Sequence, residues 1–166
     1  YIYTMRNIKT TFRDFLNESS NKIDGWEKIS IDDIKKQFPD KQFIDGGIVD
    51  DSYSKSESII IPDVDTAIEI LQFLDEKMYP YGMGGHPTDI KEVWDKFPNS
   101  VVKMALPRFT SHRYDQKIAF IFDNGEKYPP IFAYDSNHTE SPYIWKRLSK
   151  TSWKTFGKWD MEKYFK

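Results

Sequence analysis

The stretch KIAFIFDNGEKYPPIFAYD, residues 117–135, constrains the fold more than any other part of the chain. Lys117 leads an apolar run to Phe122, and Ile131 to Tyr134 resumes it, each bounded by turn-forming residues. Between them Asn124–Gly125 is the preferred pair for a type I′ turn, whose positive φ angles match the twist of the flanking strands. An antiparallel hairpin is therefore expected. Pro129 and Pro130 lack N–H donors, so the returning strand should start late or lie at a sheet edge.

Helical periodicity surrounds this hairpin. From about Asp65 to Met78, Ala67, Ile70, Leu71, Leu74 and Met78 fall on one stripe, with Asp65 able to cap the first turn. A second helix, about 88–97, starts after Thr88 and ends before Pro98, burying Ile90, Val93, Trp94 and Phe97. Ser30 opens a short helix with Asp32 and Asp33 in its first turn and Pro39 beyond its end. Ser141–Pro142 has the form of a helix start, so a helix is expected over about 142–150, and a last one over Asp160–Phe165. Phe43–Ile44, Ile48–Val49 and Ser58–Ile61 suggest strands, with Gly46–Gly47 as a turn and Asp50–Glu57 as a solvated loop. SVVKMAL, from Ser100, suggests one more strand. The expected fold class is α+β: a single compact domain with a small antiparallel sheet (hairpin about 117–135) packed against helices about 65–78, 88–97 and 142–150.

A length of 166 residues fits one domain. Hydrophobic residues make up 39% of it, enough to bury a core, and 12 Phe, 10 Tyr and 5 Trp should make that core aromatic. The absence of cysteine excludes disulfides, thiol nucleophiles and Cys-ligated zinc, and suits a reducing compartment. No apolar run approaches the ~18 residues of a membrane-spanning helix, so a soluble chain with no membrane partner is expected. Charge is uneven. Residues 24–76 carry 14 acidic and 5 basic side chains, whereas 140–166 carry 3 acidic and 7 basic. The simplest arrangement sets these segments against each other across the fold; the other is a partner site.

Two polar loops hold the candidate catalytic residues. YPYGMGGHPTD (79–89) sets glycines before a helix N-terminus, with His86 and Asp89 following, but its spacing matches neither the Rossmann nor the P-loop pattern. YDSNHTESP (134–142) places Asp135 and His138 after a strand end, where Asp–His pairs can serve as base and orienter. RFTSHRYD (108–115) adds Arg108, His112 and Arg113 as a phosphate-binding cluster. The three histidines lack the spacing of a known metal motif, and neither a metal nor a cofactor is expected. IWKRLSKTSWKTFGKW (144–159) interleaves Trp145, Trp153, Phe156 and Trp159 with Lys146, Arg147 and three further lysines. Such a pattern fits single-stranded nucleic acid, with Lys146 and Arg147 on phosphate, but aromatics in the core ringed by lysines are the commoner outcome.

In MRNIKTTFRDFLNE, residues 5–18, Ile8, Phe12, Phe15 and Leu16 share one face of an amphipathic helix of about three turns. The string resembles the capsid-targeting peptides of T-even and related tailed bacteriophages. That resemblance covers 14 of the 166 residues. It implies a helix that joins the scaffolding core of the immature head and is cut after a Glu in a hydrophobic-x-Glu context, here Leu16-Asn17-Glu18. The organisation expected is then a cleavable peptide over 1–18 and one α+β domain over 19–166. The resemblance further implies a head-packaged internal protein that enters the host cytoplasm with the DNA and acts on or inhibits a host factor. Two alternatives remain. One is a small hydrolase or transferase on a phosphate-containing substrate, joining the 82–89 and 135–140 loops. The other is an immunity- or antitoxin-like module whose acidic 24–76 segment covers a basic partner.

Overall fold

A computed structural model describes residues 29–50, 55–77, 83–107, 117–135 and 139–166, together with the backbone of 22–23 and 26–27. The expected helix over 5–18 and its processing site Glu18 lie outside the described residues.

After a two-residue ladder of β1 (Lys22–Ile23) with β2 (Trp26–Glu27), the chain enters α1 (Ile31–Gln37). Its start follows from a reciprocal cap: the Asp33 N–H donates to Ser30 Oγ at 3.2 Å and the Ser30 N–H to Asp33 Oδ2 at 2.8 Å. Seven strands then form one antiparallel sheet in sequence order: β3 (Ile44–Asp50), β4 (Lys55–Ile60), β5 (Val101–Ala105), β6 (Lys117–Asp123), β7 (Ile131–Asp135), β8 (Tyr143–Arg147) and β9 (Trp153–Gly157). Two helices, α2 (Val64–Lys77) and α3 (Ile90–Trp94), fill the β4–β5 connection. A 3-10 turn over Pro87–Asp89 precedes α3, and another, Met161–Phe165, ends the chain.

Alternation along β6 divides the interior. Ile118, Phe120 and Phe122 join Met104, Phe132, Tyr134 and Ile144 beneath Ile70, Leu71 and Leu74 of α2 and Ile90 and Val93 of α3. Each such side chain contributes ~1.5–3 kcal/mol when fully buried, so this face is the main source of stability. The opposite face gathers Ala105, Ala119, Ile121, Ile131, Ala133, Tyr143 and Trp145, with Val49 from the far edge strand. Arg147 on β8 bonds the Asp50 carboxylate on β3. The sheet therefore curls until its two ends approach across this second face, without closing. The same bond links one residue of the acidic 24–76 segment to one of the basic 140–166 segment.

The α+β class holds, but the sheet is large, not small. It exceeds the expected sheet chiefly because 142–150 is not a helix: Tyr143–Arg147 is a strand held between β7 and β9. Tyr143, Ile144 and Trp145 are β-prone, and two flanking strands satisfy their backbone, which outweighs the Ser-Pro start signal. Gly46–Gly47 is not a turn but a bulge inside β3, where Gly47 at φ +77° takes the left-handed conformation and its N–H donates to Asp45 Oδ1 at 2.8 Å. The loop after it is short, since Lys55–Ile60 already pairs back with β3. Asp63, not Asp65, caps α2 by accepting the Thr66 N–H at 2.8 Å. The 88–97 helix is reduced to Ile90–Trp94 plus its 3-10 lead-in. The β6–β7 hairpin forms, with Gly125 at φ +90°. Its connection runs from 124 to 130, and β7 starts late at Ile131 in the middle of the sheet. Among the described residues no helix is long and apolar enough to cross a membrane.

Candidate functional site

The two polar loops singled out in the sequence meet at one end of β7. Gly84 and Gly85 permit the contact. A Cβ on Gly84, at φ +78°, would lie 2.9 Å from the Asp135 carbonyl oxygen, and one on Gly85 would lie 2.8 Å from Pro142 Cδ and 3.1 Å from the Tyr134 ring. His86 is clamped through its backbone. Its N–H donates to Asp89 Oδ2 at 2.9 Å, while its carbonyl accepts the Asp89 N–H at 3.0 Å and the Tyr134 hydroxyl at 2.8 Å. Burial, with the Asp89 carboxylate adding to it, pushes the Tyr134 hydroxyl above its usual pKa, so it remains a neutral donor. On the facing loop the Asp135 N–H donates to Ser141 Oγ at 2.9 Å, with both residues buried.

This junction brings together His86, Asp89 and Asp135, but in unequal settings. The His86 imidazole faces solvent; Asp89 is half-buried and its carboxylate caps its own turn; Asp135 is only 3% exposed. His138, Arg108, His112 and Arg113 lie outside the described residues. Among the described residues no group of three His, Asp or Glu is arranged to hold a metal. One polar residue here escaped the sequence reading. Lys117 is fully buried, directly opposite Asp135 across the β6–β7 ladder, with its ammonium 5.7 Å from the centroid of the Tyr143 ring. The signal was present: a hairpin centred on 124–130 pairs position 117 with 135, and a Lys facing an Asp on one face is a cross-strand pair.

The second candidate surface is the β8–β9 edge. Trp145 is buried, yet Trp153 is 57% and Trp159 78% exposed, and Leu148 in the connecting turn is 56% exposed. The expectation of a core stripe thus fails for two of the three tryptophans. Trp153 leans on Trp145 at 6.0 Å between ring centroids, tilted by 44°, which leaves its other face open. Arg147, expected on phosphate, is occupied. It bonds Asp50, and it donates from Nε to the Ser149 carbonyl at 3.1 Å and from Nη2 to the Lys150 carbonyl at 2.8 Å. These bonds fix the turn that displays Leu148, Lys150 and Trp153. Lys146 is exposed on the opposite face, its ammonium 5.7 Å from the Tyr164 ring centroid. Lys158 stands 4.9 Å over Trp159 and Lys154 4.9 Å over Phe156.

No protein-family model, curated protein or solved structure matches the chain.

Proposed function

We propose that the chain is a bacteriophage internal protein, packaged in the head through residues 5–18, delivered into the host, and acting there by binding and inhibiting a host factor. The likeness of MRNIKTTFRDFLNE to capsid-targeting peptides supports the packaging step. One observation supports binding over turnover: large apolar side chains stand in solvent among lysines at the β8–β9 edge, while the polar loop residues are engaged in packing. Exposed aromatics grouped with cations suit a partner surface. A general base must reach its proton directly or through one water, whereas the Asp89 carboxylate holds the His86 N–H and Asp135 is inside. Mass spectrometry of purified virions tests the delivery. The expected species begins at Ser19 inside mature heads; a chain found only outside particles, or still bearing residues 5–18 within them, overturns the reading.

A second reading, an enzyme acting on a phosphate-containing substrate, draws on the meeting of the two loops beside the exposed His86 imidazole. Hydrolysis of a chromogenic phosphodiester that His86→Ala abolishes would favour it. A folded chain with no such turnover removes it.

A further inference from the structure

We infer that the β8–β9 edge is a binding site for single-stranded nucleic acid, with the Trp153 and Trp159 indoles as stacking platforms and Lys150, Lys154 and Lys158 as phosphate contacts. The inference rests on the binding reading above and names its partner.

Three features carry it. The first is presentation. The two tryptophans are six positions apart, so their Cα atoms lie at most about 22 Å apart, on and just beyond a strand that no described strand pairs on its outer side. Trp153 is braced from behind by buried Trp145, and its turn is pinned by three bonds from Arg147. A braced ring with one open face stacks on a base with little further loss of freedom. The second feature is charge. Lys150, Lys154 and Lys158 are exposed and form no ion pair among the described residues, and Asp160 beside them is paired with Lys163 at 3.0 Å. Trp153 and Lys154, successive residues of β9, project to opposite faces, and Lys154 pairs with Lys146 on β8. Aromatic and cation thus flank the open edge from its two sides while Lys150 and Lys158 extend the charge at its ends, a combination that can track a backbone while stacking its bases.

The third feature is the choice of cation, which counts against the centre of a protein interface and leaves phosphate, which lysine also binds, as the fitting partner. Protein interfaces favour arginine and exclude lysine from their centres. Here the one arginine is turned inward on carbonyls and Asp50, and the outward cations are all lysines, which act as point charges toward phosphate. A duplex is disfavoured because its bases are already stacked on one another and present only their edges in the grooves.

Fluorescence anisotropy of the full chain with labelled oligothymidylate of about 12 nucleotides provides the test. Binding is expected to weaken between about 50 and 200 mM salt with a log–log slope near −2, the value for about three phosphate contacts on a single strand. Trp153→Ala and Trp159→Ala should each weaken it about tenfold or more, and Trp153→Phe should retain most of it. No binding at low salt, equal binding of a duplex of the same length, or indifference to both tryptophans would each overturn the inference. A polyglutamate peptide that binds through these tryptophans when oligothymidylate does not would also overturn it, while leaving the surface-binding reading intact. If the Trp153→Ala/Trp159→Ala double variant still inhibits host growth at full strength, the binding reading falls as well.

Discussion

The junction of the 83–89 and 134–142 loops and the β8–β9 edge invert what their sequences suggest. The first is rich in His, Asp, Ser and Thr, yet among the described residues the Asp89 carboxylate and the Tyr134 and Ser141 hydroxyls are taken up by backbone groups of the junction. The second is rich in tryptophan, yet two of its three indoles stand in water. Polar composition is weak evidence of a working site, because a loop that crosses a sheet end must satisfy its own backbone groups. A large apolar side chain left outside is better evidence, since burying it would have stabilised the domain.

If that contrast is right, the junction is structural and intolerant of change, and the edge is the reverse. The largest effect is expected at Gly84. Alanine there must adopt φ +78° with a Cβ 2.9 Å from the Asp135 carbonyl oxygen, a backbone atom that cannot swing aside. Gly84→Ala should cost about 2–4 kcal/mol, combining left-handed strain with the clash. Urea unfolding measures this; a loss under ~1 kcal/mol would mean that the two loops are not locked together. Tyr134→Phe comes next. It deletes the 2.8 Å bond to the His86 carbonyl and leaves that acceptor with fewer partners, at a cost of about 1–2 kcal/mol. Should Tyr134→Phe leave the melting temperature unchanged, the His86 clamp contributes nothing.

Much of the architecture was legible because its signals are local. The β6–β7 hairpin, the α2 stripe and the Ser30–Asp33 cap each lie within a few residues of their cause. What was illegible depended on distant partners. Tyr143–Arg147 becomes a strand only when β7 and β9 flank it, and the 148–152 connection carries no turn pair like Asn124–Gly125 to announce the hairpin. Gly46–Gly47 resembles a turn until Ser58, whose hydroxyl donates to the Gly47 carbonyl at 2.9 Å, makes it a bulge. At the site, His86, Asp89 and Asp135 could be named from sequence, but the clamping of the His86 backbone, the capping by Asp89 and the burial of Asp135 could not. Nor could the exposure of Trp153 and Trp159, since alternation along β9 does not reveal that the sheet ends there.

Acid offers a gentler probe of the same contrast. Among the described residues Asp33, Asp63 and Asp123 are held below the ordinary carboxyl pKa of 3.8, all outside the β8–β9 edge. The Gly125 N–H does most for Asp123, followed by the Lys103 ammonium. Asp63 is lowered first by the Thr66 N–H, and Asp33 first by the Ser30 N–H. A folded-state pKa below the unfolded one means stability that is present above about pH 4 and lost as pH falls through the folded values. Thermal melts should therefore be flat in these contributions from pH 7 to about 5 and decline below about 4. Asp63→Asn, which weakens the α2 cap, should reduce that decline. An acid limb unchanged in this variant would locate the sensitivity elsewhere.

The smallest effect is expected at the edge itself, and it discriminates best. Trp159 is 78% exposed and Leu148 56%, so polar replacements remove little buried area. Neither is the acceptor or donor that secures the turn by side chain: Arg147 does so through the Ser149 and Lys150 carbonyls, and the Leu148 N–H bonds the Ser152 carbonyl at 2.8 Å through the backbone. Leu148→Ser and Trp159→Ser should each stay within about 0.5 kcal/mol of the unsubstituted chain in urea unfolding, as surface changes do. Arg147→Ala serves as the contrast. It releases Asp50 and the turn together and should cost about 1–2 kcal/mol, somewhat more than an exposed ion pair alone, because its side chain is only 17% exposed and makes carbonyl bonds as well. If Trp159→Ser instead destabilised the domain by more than ~1 kcal/mol, the indole would be a structural prop in solution, and its exposure would lose its value as a sign of a partner.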